Sequence, residues 1–337
     1  MLPELARPSR PATRREILKA GGALAGAGLI STFFPRNLFA TQPSPYAFQQ
    51  AGVASQDPLA QFRAQMAAIP LQTLKLCDNL TMLYGPGGNM VALDGPDGKI
   101  LVDSSFVPVV PKIKEALTGI SSSPLRVLIN THWHFDHTDG NALLHESGAT
   151  ILAHENTRRR LSTPQDIAAF GMHFPASPEA AWPQRTFSDT FQFYLSNENI
   201  FAGYVKPAHT DTDIFIRYEK GNVLHMGDIF FNGMYPFIDS SSGGSINGMI
   251  AGAESAFKLL DAETKIVPGH GPVGDKAALA KYRDMLVTVR DRVLAQKKAG
   301  RKVEEVVAAK PTADLDVAWG NGFLKPEQFV GIVYSTL

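Results

Sequence analysis

The chain has 337 residues, 44% of them hydrophobic and 19% charged, which is enough to bury a sizeable core and too apolar for a disordered protein. Its 32 basic and 32 acidic residues cancel; setting aside residues 1–40, which hold six basic and two acidic ones, leaves 26 against 30 and a net charge of −4. A chain without a basic excess lacks the phosphate attraction on which nucleic-acid binding depends, so nuclease functions rank low.

The N-terminal stretch "TRREILKAGGALAGAGLISTFF" sets Arg14 and Arg15 before a Gly/Ala/Leu run at residues 20–34 that is too short to span a bilayer comfortably. It resembles a twin-arginine export signal, which implies the twin-arginine export machinery as a partner and a periplasmic or otherwise exported protein with no stable membrane insertion after processing. On this reading residues 1–40 are the signal peptide, cleaved after Ala40; the alternative is an uncleaved tether. Residues 41–70, rich in Gln, Pro, Ala and Ser, read as a flexible leader, and residues 71–337 as the folded domain. Cys77 is the single cysteine, which rules out an intramolecular disulfide even in an oxidising compartment. Its strand-like surroundings, "LKLCDN", suit a small buried thiol.

From residue 71 the short β-type runs "LQTLKL", "LTMLYG", "NMVALDG" and "KILVDSS", punctuated by "GPGG" and "GPDG" turns, predict an antiparallel meander. A helix "PVVPKIKEALTGI", a strand "LRVLIN", the loop "THWHFDHTDG", a helix "GNALLHESG", a strand "TILAHE" and a helix starting near Asn156 follow. Residues 163–186, with several prolines and aromatics, read as an irregular insertion beside the histidine loop. Strands return in "FQFYL", "IFAGYVKP", "DIFIRYE" and "NVLHMGD", then a helix "GMIAGAESAFKLLD", a short strand "TKIVPG" and a largely helical C-terminus with apolar residues at three- and four-residue spacing. Both halves run strands then helices, which predicts two packed α/β layers with no internal repeat.

Within the loop at residues 131–140, the six positions 132–137 concentrate three histidines and an aspartate where an ordinary turn needs Gly, Asn, Asp or Ser. In an extended segment side chains at i and i+2 point the same way, so His132 and His134 can grip one metal together. Asp136 and His137 follow a change of chain direction and could hold a second. Imidazole and carboxylate suit borderline divalent ions such as zinc, iron or manganese. Three further ligand types stand at the ends of strand-like runs: His209 in "KPAHTDTD", Asp228 in "HMGDIFF" and His270 in "VPGHGP", with glycines beside Asp228 and His270 that let the backbone turn sharply.

Together these residues resemble the metallo-β-lactamase fold superfamily, whose signature His-x-His-x-Asp-His stands here as His132, His134, Asp136 and His137, over about residues 72–275. The resemblance implies a four-layer αβ/βα sandwich of the metallo-β-lactamase type, an α/β fold, with all seven ligands on loops at one edge of its sheets. It assigns His132, His134 and His209 to the first metal, Asp136, His137 and His270 to the second, and Asp228 as a bridge between two divalent metal ions, zinc foremost. It also implies a small-molecule substrate: an ester, thioester, lactone or β-lactam hydrolysed by a metal-bound hydroxide that Asp136 orients. Asp228, and the lack of any cysteine after position 77, resemble the glyoxalase II and lactonase side rather than β-lactamases proper.

Aromatic residues crowd the same loops: Trp133, Phe135, Phe230, Phe231, Tyr235 and Phe237. They either line an apolar pocket or pack the two layers together. Asn232, Tyr235 and Trp133 are the candidate substrate contacts, the first two toward a developing oxyanion. The "SSSGGS" run at 240–245 reads as a mobile loop bordering the entrance. His145, His154, His173 and His225 suit surface or satisfied core roles, with His225 also placed to support a metal ligand. Competing functions are a β-lactamase proper, a metal-containing redox protein of the same fold, for which no flavin domain is evident, and a binding protein on an inactivated fold.

Overall fold

A computed structural model describes residues 58–337, so the expected signal peptide and most of the expected leader lie outside the described residues. The expected meander forms as β1 (Gln72–Lys75), β2 (Leu80–Tyr84), β3 (Met90–Leu93) and β4 (Lys99–Val102), paired antiparallel in sequence order. Beyond β4 the sheet turns parallel through β5 (Leu125–Ile129), β6 (Thr150–His154) and β9 (Arg185–Phe187), making seven strands. The second sheet runs β10 (Thr190–Leu195), β11 (Glu198–Tyr204), β12 (Ile214–Tyr218), β13 (Val223–His225) and β14 (Lys265–Val267), antiparallel until the parallel β13–β14 pair.

Period-two alternation splits each strand between two cores. Met82, Val91, Leu93, Ile100, Val102 and Ile129 of the first sheet meet Ile200, Ile214, Ile216 and Val223 of the second. The alternate residues Leu83, Met90, Ala92, Leu101, Leu128 and Ile151 face outward onto α2 (Val110–Ile120), which contributes Val110, Ile113 and Leu117. On the far face of the second sheet, Phe215, Leu224 and Ile266 pack under α6 (Ile246–Ala256) and α7 (Lys276–Lys298), with Leu279, Tyr282, Leu286, Val289 and Val293 forming the buried stripe of α7. Three apolar layers between four layers of elements make the expected αβ/βα sandwich. The C-terminus adds α8 (Val303–Ala308), α9 (Asp316–Trp319) and α10 (Pro326–Ser335), the last burying Phe329, Val330 and Val333 in the same core.

The end of the stretch read as leader is instead ordered. Residues of α1 (Pro58–Ala68) place Phe62 and Met66 on the outer face of the first sheet, and Arg63 forms a two-bond pair with Asp139 (Nε to Oδ2, 2.8 Å). Gln, Ala and Met are adequate helix formers, and a leader composition does not exclude a helix that has an apolar face to bury. The insertion at 163–186 is a hairpin of β7 (Gln165–Ile167) and β8 (Met172–Phe174), followed by β9, which joins the first sheet. Cys77 is half-buried, its thiol donating to Asn79 Oδ1. No helix among the described residues is long and apolar enough to cross a membrane.

Candidate metal centre

The parallel strands deliver their C-terminal ends to one edge of the sandwich, where ligand-binding loops of open α/β sheets gather. Asp103 follows β4, His132 follows β5, Asp228 follows β13 and His270 follows β14. Because β12 runs antiparallel to β13, the segment before β12 reaches the same edge with His209. Ile214 N–H donates to Thr131 O at 2.9 Å, joining the two sheets beside the motif. His134 precedes the short helix α3 (Phe135–Thr138), which carries Asp136 and His137. Close approach explains two glycines: a Cβ on Gly88 would run into the His137 ring, and one on Gly269 into the Asp228 carboxylate.

All seven expected ligands converge. His132, His134, His209 and Asp228 form one group, and Asp136, His137 and His270 another, each with its ligand atoms within 4.8 Å of one another. Asp228 lies between them: Oδ2 is 3.4 Å from His209 Nε2 and 3.4 Å from His270 Nε2, while Oδ1 is 3.1 Å from His137 Nε2.

Hydrogen bonds to the far side of four rings decide which nitrogen faces inward. His132 Nδ1 lies 3.0 Å from Thr131 Oγ1, His137 Nδ1 2.7 Å from Asp103 Oδ2, and His209 Nδ1 2.8 Å from Phe237 O, so each presents Nε2. His134 is inverted: its Nε2 meets Asp239 Oδ2 at 3.0 Å, and Nδ1 faces His209 Nε2 at 2.8 Å. His270 is held by stacking on Phe231, with ring centroids 5.2 Å apart.

The electrostatics separate the two groups. Burial, reinforced by His137, drives the His132 pKa well below 6.5, and burial lowers His209 to about 4 despite Asp228. Burial also opposes charge on His137 and His270, but there the carboxylates win: Asp228, Asp136 and Asp103 hold His137 well above 6.5, and Asp228 and Asp136 raise His270 to about 9. Burial pushes Asp228 upward, yet the surrounding histidines, His270 first, hold it well below the usual carboxylate range.

A cation fits this arrangement on an observation of the side chains themselves. His132 Nε2, His137 Nε2 and Asp228 Oδ1 are buried with no hydrogen-bond partner, although two of them lie 3.1 Å apart. Each such atom left unsatisfied costs about 1–3 kcal/mol. Nitrogen and carboxylate donors converging on one point are what a borderline divalent ion takes.

The expected substrate contacts fare differently. Tyr235 is fully buried, stacks on Phe329 with ring centroids 4.6 Å apart and donates its hydroxyl to Asp316 Oδ1 at 2.9 Å, so the structure turns it away from the oxyanion role expected of it. Trp133 is buried, with its indole N–H on Ser242 Oγ at 3.2 Å. Asn232 is half-buried at the rim and donates to Pro272 O. Phe231 and Phe237 lie against ligand histidines, Phe230 packs on Tyr282, and Phe135 packs among Phe62, Phe106 and Phe174.

The 240–245 run is also not the mobile border it resembles. Ser242 is buried and hydrogen-bonds Asp239, and Gly244 packs against the backbone of His209 so tightly that a Cβ would collide. His145 bonds Ala149 O, His173 pairs with Asp166, and His154 stacks on Tyr204 at 3.9 Å, all away from the cluster. His225 bonds Asn89 O and accepts from Gly227 N–H, supporting the turn that carries Asp228. Reading the sequence missed Asp103 and Asp239; the one available signal was an aspartate closing an apolar strand-like run, as in "KILVDSS".

Comparison with known proteins places these features in context. A family model described as the metallo-beta-lactamase superfamily matches residues 83–290, which include all seven expected ligands. Among solved structures the chain is similar to a metallo-beta-lactamase from Pontibacter korlensis, at 18% identity and TM-score 0.52 over 64% of this chain and 99% of that one. It is similar to DIM-1 metallo-beta-lactamase exposed to ceftazidime, at 19% identity and TM-score 0.52 over 65% and 98%. A double mutant of the sec-alkyl sulfatase PisA1 aligns at 14% identity and TM-score 0.60 over 97% of this chain and 62% of that one. At these identities the likeness is one of fold.

Proposed function

The chain belongs to the metallo-β-lactamase superfamily, and from that premise we propose that it is an exported hydrolase that holds two divalent cations, zinc foremost, and acts on an ester, thioester, lactone or β-lactam. One observation carries the reading: the Asp228 carboxylate lies between two ligand groups, Oδ2 3.4 Å from both His209 of the first and His270 of the second and Oδ1 3.1 Å from His137 of the second, with its charge maintained by the surrounding imidazoles. When bound, such cations supply a nucleophile from water at neutral pH and polarise the oxygen of the scissile group.

The chain's own residues perform the rest. Buried, neutral His132 and His209 offer lone pairs without first losing a proton. Asp228 offsets the repulsion between two like charges brought close together. Asp136 is ionised, since His137 and His270 outweigh the effect of its burial, and its carboxylate is partly open to solvent. It therefore accepts a hydrogen bond from the attacking water and orients it toward the substrate. Fixed rings on the far side keep water-filled space, and with it dielectric screening, away from the first group.

A second reading, hydrolysis of a sulfate ester, is favoured by the extent of the sulfatase match, 97% of this chain against 64–65% for the β-lactamases. Metal analysis of the purified protein, coupled to hydrolysis of a lactone, a thioester, a cephalosporin and a secondary alkyl sulfate, tests both. Turnover of the sulfate alone selects the second reading; fewer than two cations and no turnover of any substrate removes both. Export is proposed from Arg14 and Arg15, and replacing both with lysine should retain the protein inside the cell; normal export of that variant refutes it.

A further inference from the structure

Solvent reaches the ligand cluster on one side. The side chains of Asp136 and His270 are 19% and 22% exposed, whereas those of His132, His137, His209 and Asp228 are 5% or less. A substrate therefore approaches beside His270, and what borders that ring is aromatic. Phe231 stacks on it from the loop after Asp228. The Phe323 ring lies 6.4 Å from His270 and 6.3 Å from Phe231, and it is only half-buried.

Phe323 comes from the segment between α9 and α10, outside the span of 83–290 that the family model covers. This segment is firmly docked on the loop that follows Asp228. Tyr235 N–H donates to Trp319 O at 2.8 Å, the Tyr235 hydroxyl donates to Asp316, and Gly322 approaches the Met234 side chain so closely that a Cβ would clash. The C-terminal helices thus do more than cover the second sheet: they hold an aromatic ring at the open side of the cluster, where small-molecule sites combine apolar walls with a few polar points.

We propose that Phe323 is a specificity-determining residue that forms the substrate-facing wall beside His270, and that the substrate carries an uncharged apolar chain or ring on that side of its scissile bond. The proposal rests on the hydrolase reading above for where the substrate sits. An apolar group laid against the half-buried Phe323 ring, which Phe231 backs at 6.3 Å, removes ring surface from water, and an aromatic contact of this kind strengthens binding roughly three- to tenfold beyond area alone.

The test compares acetate and phenylacetate, two carboxylates differing by a phenyl group, as ligands of the zinc-loaded full chain by titration calorimetry. The parent protein should prefer phenylacetate, and Phe323→Ala should reduce that preference by roughly three- to tenfold while acetate affinity and zinc content hold. Phe323→Leu, which keeps apolar volume if the alanine variant loses its fold, should reduce it part-way. No preference in the parent, or an undiminished preference in either folded variant, overturns the proposal. Ester, thioester and lactone turnover, measured alongside, separates the two ideas: turnover with an unchanged ligand preference removes Phe323 alone, and a lost preference without any turnover removes the hydrolase reading alone.

Discussion

The two candidate ligand groups meet at Asp228 but are built differently. Around His132, His134 and His209 every ring is buried and every outward nitrogen is held, by Thr131, Asp239 and Phe237. Around Asp136, His137 and His270 only His137 is held in that way, by Asp103, while the other two are partly open. The imidazoles His132 and His209 are neutral, whereas His137 and His270 sit among carboxylates that favour their charged form. A preorganised neutral site binds a cation without reorganising or losing protons, and an open charged one must do both. The first group should therefore hold its cation more tightly, and the second should exchange cations and face the substrate.

Removing the shared group has the largest effect. Asp228→Asn keeps the shape and deletes the charge, so the cation of the second group should be lost first and kcat/KM should fall by roughly 100-fold or more. Metal stoichiometry measured beside the kinetics checks the order; two retained cations with full activity would make Asp228 merely structural and dissolve the contrast.

The next test takes the groups singly. Asp239→Asn removes the carboxylate that turns His134 Nδ1 inward, and Asp103→Asn removes the one behind His137. Each should weaken its own group by roughly 10- to 100-fold in competition with a chelator. Asp239→Asn should leave the other group nearly unchanged, whereas Asp103→Asn should also weaken the first group to a smaller extent, because Asp103 accepts from the Thr131 hydroxyl that holds His132. Equal loss at both groups in both variants would show that the cluster binds as one unit.

A gentler probe is pH. His270, raised to about 9, carries a proton at neutral pH that a cation must displace, so the affinity of the second group should rise with pH up to about 9, with proton release on binding. His209, lowered to about 4, has already lost its proton, and the first group's affinity should stay nearly flat above neutral pH. Metal titrations across that range separate the two slopes; parallel slopes would refute the contrast.

The smallest effect is expected at Arg63. Its pair with Asp139 clamps α1 beside the helix that carries Asp136 and His137, but both side chains are partly solvated. Arg63→Ala should lower stability by about 1 kcal/mol or less in thermal unfolding, and loosen the second group only slightly. A loss of cation affinity rivalling that of Asp103→Asn would instead make α1 part of the site.

Much of this centre was legible in order of residues alone. Strand-like runs with period-two apolarity announced both sheets, and a ligand-type side chain, His132, His209, Asp228 or His270, stood at the end of four of those runs. Such signals survive because metal ligands are rare residue types in turns and alternation is a local property of the backbone. Local pattern misled wherever packing overrode composition. Residues 58–68 resemble a leader yet bury Met66 and pack the half-buried Phe62 onto the first sheet, and the Ser/Gly run at 240–245 looks mobile yet is pinned between Asp239 and His209.

By itself the sequence determined which seven side chains gather, because each lies on a segment that enters or leaves a strand at the same edge and the strands must align to bury their apolar faces. Only the tertiary structure decided how those side chains are used. Asp103 and Asp239 reach their histidines across 34 and 105 residues of chain, Tyr235 is claimed by Asp316 81 residues away, and Phe323 arrives at His270 from beyond the last strand. Contacts over such separations leave no periodicity or spacing to read: they are set by how two sheets and a C-terminal layer stack, which is a property of the packed core and not of any local stretch.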